Sequence, residues 1–212
     1  MGSIHMQDIL FIDKPKGLTS FDVIRRLRKE LGVRKMGHAG TLDPNASGLV
    51  IVGVGKGTKR LQEFMALPKT YVMDVLLGVR TNTGDIEGKV VEEKDVGRLE
   101  REEVVRVLKE MVGAIVLPVP VYSALKYKGK PLYAYARRGI ATVPRIRNMD
   151  IHSLRLLKMA RTLLKIEMDC GKGTYARSVA EEIGRRLGVP ATLRDLRRTK
   201  IGLYRVKDAE KV

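Results

Sequence analysis

Gly37-His38-Ala39-Gly40-Thr41-Leu42-Asp43-Pro44-Asn45-Ala46-Ser47-Gly48-Leu49 leads directly into an apolar run over 49–54. The run has the length and composition of a buried strand. The segment before it is rich in small residues, which let a backbone bend tightly and let a ligand approach. A single carboxylate, Asp43, stands in that segment beside Pro44. Read from its own residues, Asp43 has two uses. It can order the turn as an Asx residue, or it can act as a reactive group on a loop fixed by the following strand.

Outward from this stretch, strands and helices interleave. Residues 8–13 read as a strand stopped by Lys14-Pro15-Lys16-Gly17. Thr19-Ser20 offers an N-cap to a helix with Phe21, Val23, Ile24, Leu27 and Leu31 at helical spacing and Gly32 at its end. A glycine-rich loop is expected over 33–48. Thr58 is expected to cap a short helix through 67, and 70–79 reads as a strand. Turns follow at 81–85 and 87–88, with a returning strand at 89–91. A surface helix over 99–112 carries acids in its first turn, with Gly113 as its C′ residue. Residues 119–126 read as strand and loop. Pro131 is placed at N1 of a helix ending at Gly139. Strands are expected at 149–159 and 162–170, a helix capped by Thr174 and closed by Gly188, and a strand-rich stretch over 191–206. Many strand connections are too short for crossover helices. The fold class is therefore α+β, with a mixed, mostly antiparallel sheet flanked by helices.

The 212 residues suffice for one domain, with two compact lobes as the variant. No apolar run reaches the roughly 20 residues of a membrane span, and there is no secretory signal pattern. The single cysteine, Cys170, excludes an internal disulfide and fits a cytoplasmic location. Residues 1–5 read as a cloning remnant, with the natural start at Met6. The net charge is +17. It is unevenly placed: residues 1–120 carry 19 basic and 16 acidic side chains, and residues 121–212 carry 22 and 8. That concentration fits a solvated basic surface or a face that binds a polyphosphate such as RNA. It does not fit a membrane surface, because no amphipathic helix gathers the charge on one side.

Cofactor motifs are missing. In Gly53-Val54-Gly55-Lys56-Gly57-Thr58, Val50 holds the first position of a Walker A loop and Gly57 follows the lysine, so the phosphate-loop spacing fails; the dinucleotide fingerprint fails too. His5, His38 and His152 are scattered, and one cysteine cannot build a zinc site. No nucleophile elbow is present. Neither cofactor nor metal is expected.

Four stretches together carry a specific resemblance. The run 37–49 resembles motif II of the pseudouridine synthases in the Gly-His-x-Gly-Thr-Leu-Asp-Pro form of the TruB family. Asp13-Lys14-Pro15-Lys16-Gly17 with Thr19-Ser20 resembles the family's opening motif. Tyr122-Ser123-Ala124-Leu125-Lys126-Tyr127-Lys128-Gly129, with Tyr135-Ala136-Arg137-Arg138-Gly139, resembles its central signature. Cys170-Gly171-Lys172-Gly173-Thr174-Tyr175-Ala176-Arg177 and the segment 193–198 resemble its later motifs. Lys69-Thr70-Tyr71 also fits, and the similarity spans about 8–200.

The resemblance implies a pseudouridine synthase fold and a cofactor-free enzyme that converts uridine 55 in the T-loop of tRNA to pseudouridine. Asp43 is then the catalytic carboxylate and Arg177 the cation that pairs with it. Tyr71 stacks on the target base and is a candidate proton acceptor. Tyr175 and Leu196 line the base pocket, and His38 helps displace the nucleotide. Lys126, Lys128, Lys130, Arg137, Arg138, Arg145, Arg147, Arg197 and Arg198 are the candidate phosphate contacts. The expected partner is the tRNA T-arm, with no membrane and no obligate protein partner. The family usually continues into a C-terminal PUA-like RNA-binding domain. The sequence ends at Val212 without one, so the expectation is a single catalytic domain over 6–212. The rival reading is a non-catalytic RNA-binding or tRNA-folding protein on the same scaffold.

Overall fold

Thr19 and Asp22 begin the first helix as the sequence suggests. In the computed structural model, the Asp22 amide donates to Thr19 Oγ1 (3.0 Å) and the Thr19 amide donates to the Asp22 carboxylate (2.8 Å), a capping box. Gly32 ends the helix in the left-handed region (φ 67°). The structure describes residues 8–140, 143 and 145–212. The segment read as a cloning remnant and the start at Met6 lie outside them.

Along the chain the described elements are β1 (Ile9–Lys14), α1 (Ser20–Leu31), β2 (Met36–His38), β3 (Ser47–Val54), α2 (Leu61–Ala66), β4 (Lys69–Leu77), β5 (Val79–Thr81), β6 (Val90–Glu93), α3 (Arg101–Glu110), β7 (Gly113–Pro118), β8 (Lys126–Tyr127), β9 (Lys130–Pro131), α4 (Leu132–Ala136), β10 (Ile146–Met159), β11 (Leu163–Cys170), α5 (Ala176–Arg186), β12 (Ala191–Ile201), β13 (Tyr204–Arg205) and β14 (Glu210–Lys211). The sheet is mixed and mostly antiparallel, with β1/β14 and β3/β12 as parallel pairs. The chain divides into two compact units, one made of Met1–Val72 with Asp195–Val212 and the other of Met73–Arg194. Strands β4 and β12 each run through the division.

In the first unit β3 is buried along its whole length. β1 covers one of its edges, from Ile9 opposite Gly53 to Lys14 opposite Gly48. The other edge is shared: β2 pairs at its C-terminal half (His38 opposite Val52) and β12 at its start (Arg198 opposite Gly48). A strand walled on both edges and both faces must be apolar throughout, and 49–54 is. Ala39, Leu49, Ile51, Leu61, Phe64 and Ile201 form the core here, with Phe11 and Leu67 against it. In the second unit β10 lies between β11 and β7 in antiparallel register. Met149, Ile151, Leu164, Ile166 and Met168 are buried, as are Val104, Val107 and Leu108 of α3 and Val179 and Ile183 of α5.

Several expectations are corrected. The loop expected over 33–48 contains β2. Thr58 does not cap a helix; it lies in a 3-10 turn, where its hydroxyl donates to Gly55 O (2.8 Å), and α2 starts at Leu61. Gly113 does have positive φ (110°), but as the first residue of β7, which the sequence reading left unassigned. Pro131 precedes α4 as its N-cap, and the helix ends early, at Ala136, where the Arg138 and Gly139 amides donate to Tyr135 O and Ala136 O in turns. Thr174 does not cap α5. Tyr175 occupies that position, and Thr174 Oγ1 has no hydrogen-bond partner among the described residues.

Candidate active site

The Asp43 loop leaves the β3 edge where β2 ends and returns where β12 takes over. Its backbone is fixed from three directions. The Ala46 amide donates to Asp43 O (3.0 Å), closing a turn in which Pro44 occupies the position that favours its fixed φ. From the β1 side, the Lys14 ammonium donates to Pro15 O (2.9 Å), Leu18 O (2.6 Å) and Pro44 O (3.2 Å), and the Gly17 amide donates to Pro44 O (2.9 Å). From α1, Ser20 Oγ accepts from the Leu42 amide (2.9 Å) and donates to Leu42 O (3.3 Å). From β12, Arg198 donates through Nε to Leu49 O (2.7 Å) and through Nη2 to Gly40 O (3.1 Å). Gly48 (φ 110°) has no alternative: a Cβ there would lie 2.2 Å from Arg198 O.

Asp43 itself is half-buried at the tip of this construction. Burial lowers the Lys14 ammonium to about 8, and the neighbouring Asp43 carboxylate pulls the other way. His38, the last residue of β2, is also held below its ordinary value, first by burial and then by the Arg198 charge. Its imidazole is therefore neutral at neutral pH. Tyr71, half-buried, lies near the start of β4, and Leu196 is buried on β12; Thr199 Oγ1 donates to Thr70 O (3.3 Å) between those strands.

In the second unit, Arg177 is the second residue of α5 and is 5% exposed. Its guanidinium donates to Thr83 O (3.0 Å) and Tyr122 O (2.9 Å) and lies 3.9 Å from the Asp85 carboxylate. That carboxylate is itself held by Thr83 Oγ1 (2.7 Å) and the Glu87 amide (3.2 Å). The turn 81–88, through Thr83 O and the Asp85 carboxylate, and Tyr122 O together orient the buried cation. The half-buried Tyr175 precedes α5, its amide donating to Met149 Sδ (3.4 Å). Further along, the hairpin β8–β9 turns through Lys128 (φ 45°) and Gly129 (φ 80°). Tyr127 in this hairpin carries Lys128 Nζ 5.6 Å and the Arg145 guanidinium 5.1 Å from its ring centre, and Arg137 lies 5.3 Å over Tyr133. Such cation–π pairs hold charged groups out on a surface. Among the described residues, no cluster of three or more His, Cys, Asp or Glu could hold a metal ion, and no helix is long and apolar enough to cross a membrane.

Residues 28–176 match the TruB family pseudouridylate synthase N-terminal domain. The chain belongs to the TruB family.

Curated relatives agree over nearly the whole chain. It is 40% identical to the tRNA pseudouridine synthase B of Endomicrobium trichonymphae, covering 97% of this chain and 89% of that protein. Identity to the synthase B of Desulfotalea psychrophila is 44%, over 95% of this chain and 84% of that protein. Solved structures share the fold. A Cbf5–Nop10–Gar1 complex aligns with a TM-score of 0.75 at 27% identity, and an H/ACA ribonucleoprotein bound to a substrate RNA containing 2′-deoxyuridine with 0.72 at 25%. Each alignment covers 96% of this chain and about half of the solved chain (52% and 50%, respectively).

Within this TruB-family chain, the first unit contains Asp43, His38, Tyr71, Leu196 and Arg198, and the second contains Arg177, Tyr175, Lys126, Lys128, Arg137, Arg145 and Arg147. Lys126, Lys128, Arg137 and Arg145 are exposed, as a phosphate contact requires. Arg147 is exposed too, but its guanidinium lies against Gly173, where a Cβ would meet it at 2.9 Å. Arg198 is the correction. It is 1% exposed and its donors point at Leu49 O and Gly40 O, so it braces the Asp43 loop and cannot reach a phosphate. Arg197 is engaged by Asp13 in a bidentate pair (2.7 and 3.1 Å). The sequence reading placed Lys14 and Ser20 in the opening motif, and Ser20 in an N-cap, but gave neither a part in fixing the Asp43 loop. The available signal was Lys14 at the end of an apolar strand directly before a proline, where a surface lysine is not needed.

Proposed function

We propose that this chain is a tRNA pseudouridine synthase that isomerises a T-loop uridine without a cofactor, with Asp43 as the group on which the reaction depends. The observation that carries this reading is the pinned loop. A lone carboxylate stands at the tip of a loop whose backbone is held by Lys14, Ser20 and Arg198.

The reaction breaks the N1–C1′ bond, turns the uracil and joins C5 to C1′. The proton leaving C5 balances the one gained at N1, and no electrons are exchanged. A carboxylate suits this chemistry because it can attack an electron-poor carbon or stabilise the sugar cation that forms as the bond opens. In this reading Asp43, Tyr71 and Arg177 carry the chemistry, and His38, Tyr175 and Leu196 receive the base. A uridine stacked in a folded loop must first be extruded, which costs a few kcal/mol. Aromatic stacking returns about 1–3 kcal/mol per base. Phosphate contacts from Lys126, Lys128, Arg137, Arg145 and Arg147 supply further affinity, which falls as salt rises. The enzyme acts alone in the cytoplasm.

The test is a T-arm hairpin incubated with the protein and assayed for carbodiimide-detectable pseudouridine at the T-loop uridine. Wild type is expected to give product, and Asp43→Asn to give none while binding the hairpin within a few-fold, because the carboxylate repels phosphate rather than holding it. Normal binding without product by wild type would favour the RNA-folding alternative, and product from Asp43→Asn would remove Asp43 from the chemistry.

A further inference from the structure

The chain has three phenylalanines. Phe64 is 4% exposed in the core of the first unit, and Phe11 packs against that core with its ring stacked on Tyr204 at 4.8 Å. Phe21 is different: it is 54% exposed on the first turn of α1. Phenylalanine has no polar handle, so an outward ring forgoes burial energy with nothing gained from water. An isolated exposed apolar residue needs no explanation, but Phe21 is not isolated. The Arg28 guanidinium, two helical turns on, lies 5.5 Å from its ring centre. Arg28 is fixed there by donating to Met36 O (3.3 Å). One side of the ring is thus backed by a cation.

The position is also specific. Phe21 follows Ser20, whose hydroxyl is bonded in both directions to Leu42, the residue before Asp43. The ring therefore stands one residue from the clamp that sets the catalytic loop, on the same rigid helix. An outward aromatic with a guanidinium behind it, on the helix that clamps the Asp43 loop, is the kind of surface on which single-stranded bases stack.

We infer that Phe21, backed by Arg28, is a stacking platform for a second nucleobase of the RNA loop, a neighbour of the target uridine that leaves the stack when the target is extruded. This rests on the RNA-modifying function proposed above. It assigns a contact outside the pocket for the isomerised base. It also gives the extruded loop an anchor that does not depend on the basic second unit.

The chain contains no tryptophan, so Phe21→Trp places a single indole at the platform. Its emission is expected to be quenched saturably by a T-arm hairpin. The same probe at Leu203→Trp, on a side chain 94% exposed in the first unit, is expected to stay unchanged. Phe21→Ala is expected to raise the hairpin concentration for half-maximal rate by about 5- to 160-fold, the range for truncating a base-stacking aromatic, with the maximal rate retained. Phe21→Leu, which keeps apolar bulk without a ring, is expected to behave as Phe21→Ala. Equal quenching at both tryptophan positions, wild-type half-saturation in Phe21→Ala, or full rescue by leucine would each overturn the platform. If wild type neither bound nor isomerised the hairpin, the function itself would fall. Normal isomerisation with an indifferent Phe21 would remove the platform alone.

Discussion

Ser20→Ala tests whether the Asp43 loop is positioned by hydrogen bonds rather than by its own composition. Ser20 is 1% exposed and Leu42 is 3% exposed, so no water replaces the lost hydroxyl. The Leu42 amide, now satisfied at 2.9 Å, would be left buried without an acceptor. Such an orphan costs about 1–3 kcal/mol, and alanine returns about 0.5 kcal/mol as the better helix former. The expected loss is about 1.5 kcal/mol, or about 3–6 °C in Tm for a chain of this size. Turnover should fall further than stability suggests, by about 10- to 100-fold at saturating hairpin. A displacement of about 1 Å at a reacting group costs that much. Thr19→Ala supplies the matched control. It removes the capping box one residue earlier, costs about 1 kcal/mol and leaves Leu42 untouched. Thermal melts and single-turnover product formation on both variants decide the matter. Equal turnover in Ser20→Ala and Thr19→Ala would refute the reasoning, because the clamp would then contribute stability alone.

Arg198→Met should lower stability by about 2–6 kcal/mol, because the buried Leu49 O and Gly40 O each lose a donor at about 1–3 kcal/mol; Arg145→Ala should leave the melt unchanged and reduce the salt slope of hairpin binding by about one. Gly48→Ala should prevent β3 and β12 from pairing at Arg198, since its Cβ would overlap Arg198 O; soluble folded protein of normal Tm would count against this. Lys14 has a native value of about 8 against 10.5 unfolded, so between those values the unfolded chain holds more protons. Its contribution to stability should therefore become more favourable as pH rises through that window, relative to Lys14→Met. Turnover should move in the opposite direction above about pH 8, because three carbonyls need three N–H donors from an ammonium. A flat pH–rate profile from 8 to 10 would contradict it.

The sequence alone determined most of the strands and helices around the site, because those signals are local; it missed β2, whose three residues, ending at His38, are too few to show a period. The 3.6-residue stripe of α1, its capping pair and the unbroken apolar run of β3 are each written within about a dozen residues. It also determined that a carboxylate stands on a short loop of small residues at residue 43. Tertiary structure decided what holds that loop still. Lys14 and Arg198 read as two more cations in a basic chain. Whether a cation faces phosphate or backbone depends on which carbonyls lie within reach, and these come from segments about 30 and 150 residues away in sequence. The same holds for Arg177, whose acceptors Thr83 O and Tyr122 O lie 94 and 55 residues away in sequence. Burying a charge is tolerable only where such oxygens converge, and convergence is a property of the folded chain.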